Sequence, residues 1–275
     1  MPFVDLTTIA AALLPGVRLD DAFVAEEGNT HDVLLIPGVA AVRVSKRPLG
    51  ASSMPRRMEV LAQLAAAGLP FQVPEPLTPV TSFGARAAVA VSWVDGLGLP
   101  AGEGDPAQVA EVLEAVRSVP LTPSLMAVLD DRAQGPSWSE IITTSILPRL
   151  PSRLRAESER RLEAALALDP VPDALVHGDL SGSNVHWSSD GKLLGVLDWD
   201  FAMPGDPAVD AAQMSWHGWD TVRRAVPAAV YERARMWDAL FGIGHLVATM
   251  NGRPMTSPDG FVSAIVPWLE ADLRT

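Results

Sequence analysis

The chain has 275 residues, 48% of them hydrophobic, so it is long enough to bury a sizeable core and to form two lobes. Its 21 basic and 33 acidic residues give a net charge of −12, which opposes binding to nucleic acid and favours a cationic partner. The absence of cysteine excludes disulfides, iron–sulfur clusters and thiol catalysis. No apolar run reaches the length of a membrane span, and no basic segment precedes the apolar residues near the N-terminus. We therefore expect a cytoplasmic protein with no membrane contact.

The first third of the chain predicts a small β-rich unit. Residues 32–36 and 40–45 are strand-like, and Pro37-Gly38 between them is a turn signal, so together they predict a hairpin. In the second strand Arg43 lies between two valines, which places it on the opposite sheet face from them.

A helix is predicted after this hairpin. It begins near Ser52-Ser53 with Pro55 in its first turn, and it ends at Gly68. Apolar residues at helical spacing mark one face: Met58, Leu61 and Ala65. Glu59 is the only acidic residue of this predicted helix.

The next three segments predict a transition from strand to helices. The apolar run 87–94 ends in Trp93-Val-Asp-Gly96, which predicts a buried edge strand that runs into a hinge. Residues 105–119 and 137–150 predict helices of a larger lobe. Four residues of the first helix have the spacing of a core face: Val109, Val112, Leu113 and Val116.

A second hairpin carries the most informative residues. Two apolar runs, 185–187 and 193–197, flank the turn signal Ser189-Asp190-Gly191-Lys192. With this turn at the tip, Asn184 lies opposite the residue that precedes Asp198. An amide oxygen and a carboxylate at facing strand ends suit Mg²⁺ and do not suit zinc.

Asp179 lies five residues before Asn184, in the loop that leads into this hairpin. Phosphoryl transfer needs a residue that orients the acceptor hydroxyl and a metal that holds the phosphates, so Asp179 is the candidate catalytic base. Asp and Asn also cap ordinary turns, but the two motifs occur together and in this order, which favours the catalytic interpretation.

Asp206-Pro207 predicts the start of a helix that runs through Gln213. Asp210 falls in its first turn, where the helix dipole favours a carboxylate. Three roles stay open for Asp200: a second metal contact, a carboxylate that binds the substrate, or a solvated loop residue.

The C-terminal part is largely helical in pattern, and 228–250 is its longest stretch. Four aromatic residues are candidates for a substrate cleft: Trp216, Trp219, Trp237 and Phe241. The spacing of Trp237 and Phe241 favours core packing over a ligand site. Three acidic residues are candidates to bind an amine, and the sequence does not rank them: Glu140, Asp220 and Asp238.

The segments His177-Gly-Asp-Leu-Ser-Gly-Ser-Asn184 and Leu197-Asp-Trp-Asp200 resemble the catalytic loop and the metal-binding segment of the aminoglycoside phosphotransferase family. Gly205-Asp-Pro-Ala-Val-Asp210 extends the resemblance, which is greatest to viomycin and macrolide phosphotransferases. It implies an α+β, bilobal, protein-kinase-like fold. The small β-rich N-lobe with the hinge would span residues 1–94, and the larger helical C-lobe would span residues 95–275.

The same resemblance implies roles around the second hairpin. Asp179 is then the base, and Asn184 and Asp198 hold Mg²⁺. His177 supports the loop without taking the proton itself, and Asp210 anchors the backbone of the loop.

The resemblance also places the nucleotide. The loop Glu27-Gly-Asn-Thr-His31 would lie over the phosphates and bind them through backbone amides, including those of Gly28 and Asn29. His31 is expected to be a solvated or locally hydrogen-bonded loop residue. The backbone of Ser92 and Val94 would hydrogen-bond the adenine.

Arg43 occupies the place of the phosphate-binding lysine of kinases, and Lys46 is its rival for that role. Arginine holds phosphate in a bidentate manner, so this difference is compatible with the resemblance. Glu59 is predicted to pair with Arg43 and to hold it over the phosphates.

The prediction is an ATP- or GTP-dependent O-phosphotransferase that uses Mg²⁺. It would phosphorylate a hydroxyl of an antibiotic of the aminoglycoside, macrolide or cyclic-peptide type, and so confer resistance. A metabolic kinase for an amino sugar, amino alcohol or amino acid is the alternative with the same fold. A nucleotide-binding pseudokinase is the alternative from another class, and the intact Asp179, Asn184 and Asp198 disfavour it. Asp210 follows Asp198 too closely for the activation segment of a protein kinase.

Overall fold

A computed structural model describes residues 5–25, 31–46, 48–129 and 138–252, together with residues 266 and 270. The first third of the described chain is built mainly on one sheet, and the remainder is mainly helical. The predicted α+β class, with a β-rich N-terminal part and a helical C-terminal part, is confirmed. In this described part, no helix combines the length and the apolar character that crossing a bilayer requires.

The N-terminal part contains a five-stranded antiparallel sheet in the order β1-β2-β3-β5-β4. Its elements are α1 (Leu6–Leu13), β1 (Phe23–Val24), β2 (His31–Ile36), β3 (Ala40–Ser45), α2 (Pro48–Ala65), β4 (Thr81–Phe83) and β5 (Arg86–Ser92). The predicted first hairpin is confirmed, because β2 and β3 pair on either side of Pro37-Gly38. The prediction of β5 as an edge strand is wrong, since β4 pairs along its outer side.

The two faces of this sheet have different partners. Val42 and Val44 of β3 are fully buried in a cluster with Ile9 and Ala10 of α1. Arg43 points to the other face, as predicted, and its partner across the sheet, Val89, belongs to the core cluster that includes α2. Strand alternation therefore directs Arg43 toward the side of the sheet that α2 covers.

Helix α2 begins at Pro48, four residues earlier than predicted, and Pro55 lies inside it. Proline at the first helical position needs no hydrogen-bond partner for its nitrogen, so Pro48 suits the start. The buried face of α2 continues through Pro55, because Met54 and Met58 both pack into the core. This packing outweighs the hydrogen bond that Pro55 cannot make.

The C-terminal part is helical, with two small two-stranded sheets, β6-β9 and β7-β8. Its helices are α3 (Pro106–Arg117), α4 (Pro123–Val128), α5 (Trp138–Ile141), α6 (Ser152–Leu166), α7 (Ala208–Gln213), α8 (Trp219–Ala225) and α9 (Ala228–Gly252). Its strands are β6 (Ala174–Val176), β7 (Val185–Trp187), β8 (Leu193–Val196) and β9 (Met203–Gly205). Helices α3, α7 and α9 confirm three of the predicted helices.

The helix predicted over 137–150 is interrupted. After α5 the chain forms a π-helical segment, Ile142–Ile146, and then a 3₁₀ segment, Leu147–Arg149. Proline lacks the N–H that an α-helix needs at an interior position, so Pro148 prevents a regular continuation. Residue 137, where this prediction began, lies outside the described residues.

The second hairpin has the predicted register at its open end, but the pairing shifts by one residue between His186 and Trp187, so Trp187 lies opposite Leu193 near the turn. Val185 lies opposite Val196, and the N–H of Leu197 donates to the carbonyl oxygen of Asn184 at 2.7 Å. Neighbouring segments hold both of its edges, because Gln72 bonds along β8 and Leu97 bonds along β7. The ends of the hairpin are thus fixed against the rest of the chain.

At Gly195, β8 lies very close to the neighbouring segments that contain Gln72 and Val94. A Cβ there would collide with the Val94 side chain and would lie 2.9 Å from the carbonyl oxygen of Gln72. That oxygen accepts the N–H of Val196 at 2.9 Å, so it cannot move away without breaking a hydrogen bond. We expect Gly195→Ala to lower the free energy of unfolding by about 1–3 kcal/mol, measured by urea denaturation.

Gly205→Ala is the matched control. A Cβ at Gly205 meets only Val176 Cγ2, at an ordinary contact distance of 3.7 Å. We expect a change within about 0.5 kcal/mol for this variant. Equal losses in the two variants would contradict the assignment of a close approach at Gly195.

Candidate active site

Asp179 lies in the loop 177–184, which connects β6 to β7. The side-chain Nδ2 of Asn184 donates to Asp179 Oδ2 at 3.1 Å and to the Asp179 carbonyl oxygen at 2.8 Å. Burial and the neighbouring negative charge of Asp198 raise the pKa of Asp179 to about 6. The structure therefore brings Asp179, Asn184 and Asp198 together.

The backbone of the loop is held by a buried carboxylate and a buried imidazole. Asp210 accepts the N–H groups of His177, at 2.8 Å, and Gly178, at 3.0 Å. Burial raises the pKa of Asp210 to about 7. The N–H of Asp179 donates to Nδ1 of His177, so the ring hydrogen is on Nε2, which donates to the Leu197 carbonyl at 2.8 Å. The His177 ring thus connects the Asp179 loop to the residue before Asp198.

We expect acidification to weaken the fold through His177. Burial lowers the pKa of His177 to about 4, whereas histidine in the unfolded chain titrates near about 6.5. Between these values the unfolded chain binds more protons, so the free energy of unfolding falls as the pH decreases. The stability advantage over His177→Gln, measured by urea denaturation, should shrink by up to about 3 kcal/mol between pH about 7 and about 4. An advantage that is constant over this range would contradict the prediction.

Two candidate oxygen ligands for a cation lie at the open end of the second hairpin. Asn184 uses its Nδ2 toward Asp179, which leaves Oδ1 as the candidate ligand atom. Asp198 follows β8 with φ 55, in the left-handed region, and its side chain is 45% exposed. Among the described residues, no group of three or more His, Cys, Asp or Glu side chains forms a complete metal site. The pair fits Mg²⁺, which takes its remaining ligands from phosphates and water.

A buried group of ionisable side chains, here called the Asp200 cluster, lies beside Asp198. It consists of His31, Arg43, Arg57 and Asp200. Asp200 Oδ2 accepts from Arg43 Nη2 at 2.8 Å and from Arg57 Nη1 at 2.6 Å, and His31 Nδ1 is 3.8 Å away. Burial opposes ionisation of Asp200, but the two guanidinium groups outweigh it and hold its pKa below the usual range. Arg43 Nη2 also donates to Asp198 Oδ1 at 3.2 Å.

Two predictions about this region change: one of the three roles left open for Asp200 is excluded, and the loop position of His31 is wrong. Asp200 is not a solvated loop residue, because its side chain is only 6% exposed. His31 is not a solvated loop residue either. It is the first residue of β2 and is buried, and burial together with the charge of Arg43 lowers its pKa to about 3.

Glu59 does not pair with Arg43. It is exposed on α2 and accepts a hydrogen bond from Gln63 at 3.0 Å. Met58 faces the core, and each helical residue advances about 100°, so Glu59 is turned toward solvent. Lys46, the rival of Arg43 for the phosphate-binding role, pairs with Asp32, with its Nζ 3.5 Å from Oδ1.

The structure describes only some of the residues that were predicted to contact the nucleotide. Gly28 and Asn29 lie outside the described residues. The N–H of Ser92 donates to the Glu75 carbonyl at 2.8 Å, so the predicted backbone contact of Ser92 with adenine would use its carbonyl oxygen. Val94 lies just beyond β5, and its side chain packs close to Gly195.

The candidate substrate residues are scattered over several helices. Trp216 is exposed, lies directly over Gly182 of the loop, and donates to the Leu99 carbonyl at 2.9 Å. Trp237 packs edge-on against Trp138, in agreement with the predicted core role. The side chain of Phe241 lies outside the described part of the chain. Three acidic candidates lie on α5, α8 and α9: Glu140, Asp220 and Asp238.

Sequence reasoning missed Arg57. It lies in the predicted helix beside Arg56, and nothing in the local pattern distinguishes the two arginines. Its role depends on the direction in which α2 faces Asp200, which only packing fixes.

These features together define a phosphotransferase site on a kinase-like fold. Residues 25–242 match the family described as "Phosphotransferase enzyme family", and the chain belongs to this family. It is 33% identical over 222 residues to viomycin phosphotransferase of Streptomyces vinaceus, covering 74% of this chain and 76% of that protein. The predicted family and enzyme class are confirmed.

Solved structures with low sequence identity share the fold. The GDP and kanamycin complex of APH(2″)-IIIa has a TM-score of 0.77 at 19% identity, covering 98% of both chains. Macrolide 2′-phosphotransferase type I has a TM-score of 0.66 at 17% identity, covering 98% of this chain and 99% of that one. The predicted bilobal kinase-like fold is therefore confirmed.

Proposed function

We propose that this protein transfers the γ-phosphoryl group of ATP or GTP to a hydroxyl of a small-molecule antibiotic and thereby confers resistance. The observation that carries the proposal is the convergence of Asp179, Asn184 and Asp198 in a member of the phosphotransferase family. An aspartate base beside two oxygen ligands for a hard cation is the equipment that phosphoryl transfer requires.

Asp179 acts on the acceptor in this proposal. Its carboxylate orients the hydroxyl and accepts its proton as the new oxygen–phosphorus bond forms and the bond to the leaving nucleoside diphosphate breaks. A pKa of about 6 leaves this group ionised near neutral pH while keeping it more basic than an ordinary aspartate. Asn184 fixes the carboxylate through its amide group.

Asn184 and Asp198 would hold Mg²⁺, which supplies charge neutralisation on the phosphates when bound. Arg43 binds the phosphates from the sheet, and the backbone of Gly28 and Asn29 contributes from the preceding loop. Residues 1–94 form the nucleotide-binding lobe and hinge in this proposal, and the backbone of Val94 faces the purine of the nucleotide. Residues 95–275 then carry the catalytic loop and the substrate site.

The acceptor is proposed to be a hydroxyl-bearing cationic antibiotic. The net charge of −12 favours a cation, and the relative at 33% identity is a viomycin phosphotransferase. A cyclic peptide of the viomycin type is therefore the first acceptor to test. We place the enzyme in the cytoplasm, where nucleoside triphosphates are available.

Mg²⁺-dependent release of ADP or GDP tests this function. The panel contains viomycin, an aminoglycoside, a macrolide, amino sugars and choline, and Asp179→Asn is the control. Turnover with an antibiotic that the control abolishes supports the proposal. Turnover on a metabolite alone indicates a metabolic kinase, and nucleotide binding without any turnover indicates a pseudokinase.

A further inference from the structure

We propose that Asp200 and Arg57 form a positioning pair that fixes Arg43 for the nucleotide phosphates. In protein kinases the basic residue of the third strand pairs with a glutamate of the following helix. Here that helix contributes an arginine, and the carboxylate comes from the turn after the metal-binding residue. This inference rests on the proposed function.

The contacts of Asp200 join three separate elements. Arg43 belongs to β3, Arg57 belongs to α2, and Asp200 belongs to the 3₁₀ turn Trp199–Phe201. Both guanidinium groups bond the same carboxylate oxygen, at 2.8 and 2.6 Å. The three side chains are only 12%, 19% and 6% exposed, so the charges are shielded from water and depend on one another.

The arrangement leaves part of Arg43 directed away from the cluster. Its three contacts with described residues, to His31, Asp198 and Asp200, all use Nη2. A guanidinium group has further donors on Nη1 and Nε, which suit a phosphate oxygen. Asp200 thus holds one nitrogen of Arg43 and orients the others.

The charges around the pair balance, because Arg43 and Arg57 face the carboxylates of Asp200 and Asp198. A cation held by Asp198 would make this group of charges positive and so favour phosphate. Arg57 keeps Asp200 in place from the α2 side, so its effect on the phosphates acts through Asp200 and Arg43.

Nucleotide titrations of Asp200→Asn, Arg57→Met and the double variant test the pair. Each protein is titrated with Mg–ATP or Mg–GTP, whichever the unmodified protein binds, and with adenosine or guanosine to match. We expect each single variant to weaken triphosphate binding by about 10- to 100-fold and to leave nucleoside binding unchanged. The double variant should bind the triphosphate no more weakly than the single variant with the lower affinity, because both substitutions disrupt the same set of contacts.

Arg56→Met is the matched control on the same helix. Arg56 donates to the carbonyl oxygens of Val128, at 3.4 Å, and Leu129, at 3.1 Å. We expect this variant to lower Tm while leaving the affinity for the triphosphate unchanged. Arg57→Lys retains the charge and should recover part of the affinity that Arg57→Met loses.

The outcomes separate this inference from the proposed function. An unmodified protein that binds neither Mg–ATP nor Mg–GTP overturns the proposed function and the positioning pair with it. If it binds, equal losses of nucleoside and triphosphate affinity in Asp200→Asn overturn the positioning pair alone. The pair is also overturned if the affinity loss of the double variant equals the product of the losses of the two single variants. If Asp200→Asn does not fold, Arg57→Met decides, and an unchanged triphosphate affinity in that variant overturns the pair.

Discussion

Replacing Asp179 by Asn is expected to lower kcat by about 10²- to 10⁴-fold while leaving nucleotide affinity nearly unchanged. The amide keeps the size of the side chain but cannot accept the proton of the acceptor hydroxyl. Asn184 also bonds the carbonyl oxygen of residue 179, at 2.8 Å, so the loop keeps one of its two contacts to Asn184 in the variant. Steady-state turnover and a separate nucleotide titration measure the two quantities.

Asp190→Asn is the control for this prediction. Asp190 is an exposed aspartate at the tip of the second hairpin, where it pairs with Lys192. We expect this variant to keep the turnover of the unmodified protein. Turnover of Asp179→Asn at the level of the control would show that Asp179 is not the catalytic base. A parallel loss of nucleotide affinity would show instead that the substitution disturbs the whole site.

Replacing Asp198 is expected to weaken Mg²⁺-dependent nucleotide binding and turnover together, each by more than about tenfold. The ion would neutralise charge on the phosphates, so the loss of a negatively charged ligand would affect both binding and the transition state. Asp198→Asn is the better variant, because Asp198 has φ 55 and asparagine tolerates the left-handed region. Asp198→Ala would add about 1–2 kcal/mol of backbone strain to the loss of the ligand.

The measurement is a titration of the nucleotide with Mg²⁺ and with EDTA. The unmodified protein should lose affinity in EDTA, and Asp198→Asn should show little difference between the two conditions. Turnover of the unmodified protein without a metal would remove the reason for this role. Unchanged Mg²⁺ dependence in Asp198→Asn would place the ion on other residues.

Local sequence signals predicted the elements that position the chemistry. The turn signal around Asp190-Gly191 identified the second hairpin, and at its open end the N–H of Leu197 donates to the Asn184 carbonyl, as the predicted register requires. The alternation in β3 likewise fixed the face on which Arg43 lies. Both are properties of a few consecutive residues, which is why the sequence was sufficient.

Local sequence signals could not identify the partners of Arg43. Glu59 and Arg57 are two residues apart on α2, and which of them faces Asp200 depends on how Met54 and Met58 pack against the sheet. A residue of the 3₁₀ turn and one of α2 meet across 143 positions of the chain. No local pattern encodes such a contact.

The sequence by itself therefore determined the class of this protein, and it identified the proposed catalytic base and the proposed metal ligands, since these residues lie within one loop and one hairpin. Only the tertiary structure decided which charges hold Arg43, and it replaced the predicted glutamate by Asp200 and Arg57. The physical reason is that buried ion pairs form between elements that the core brings together. Packing of the core therefore selects the ionic partners of Arg43, whereas backbone geometry alone produces the alternation of strands and the turns.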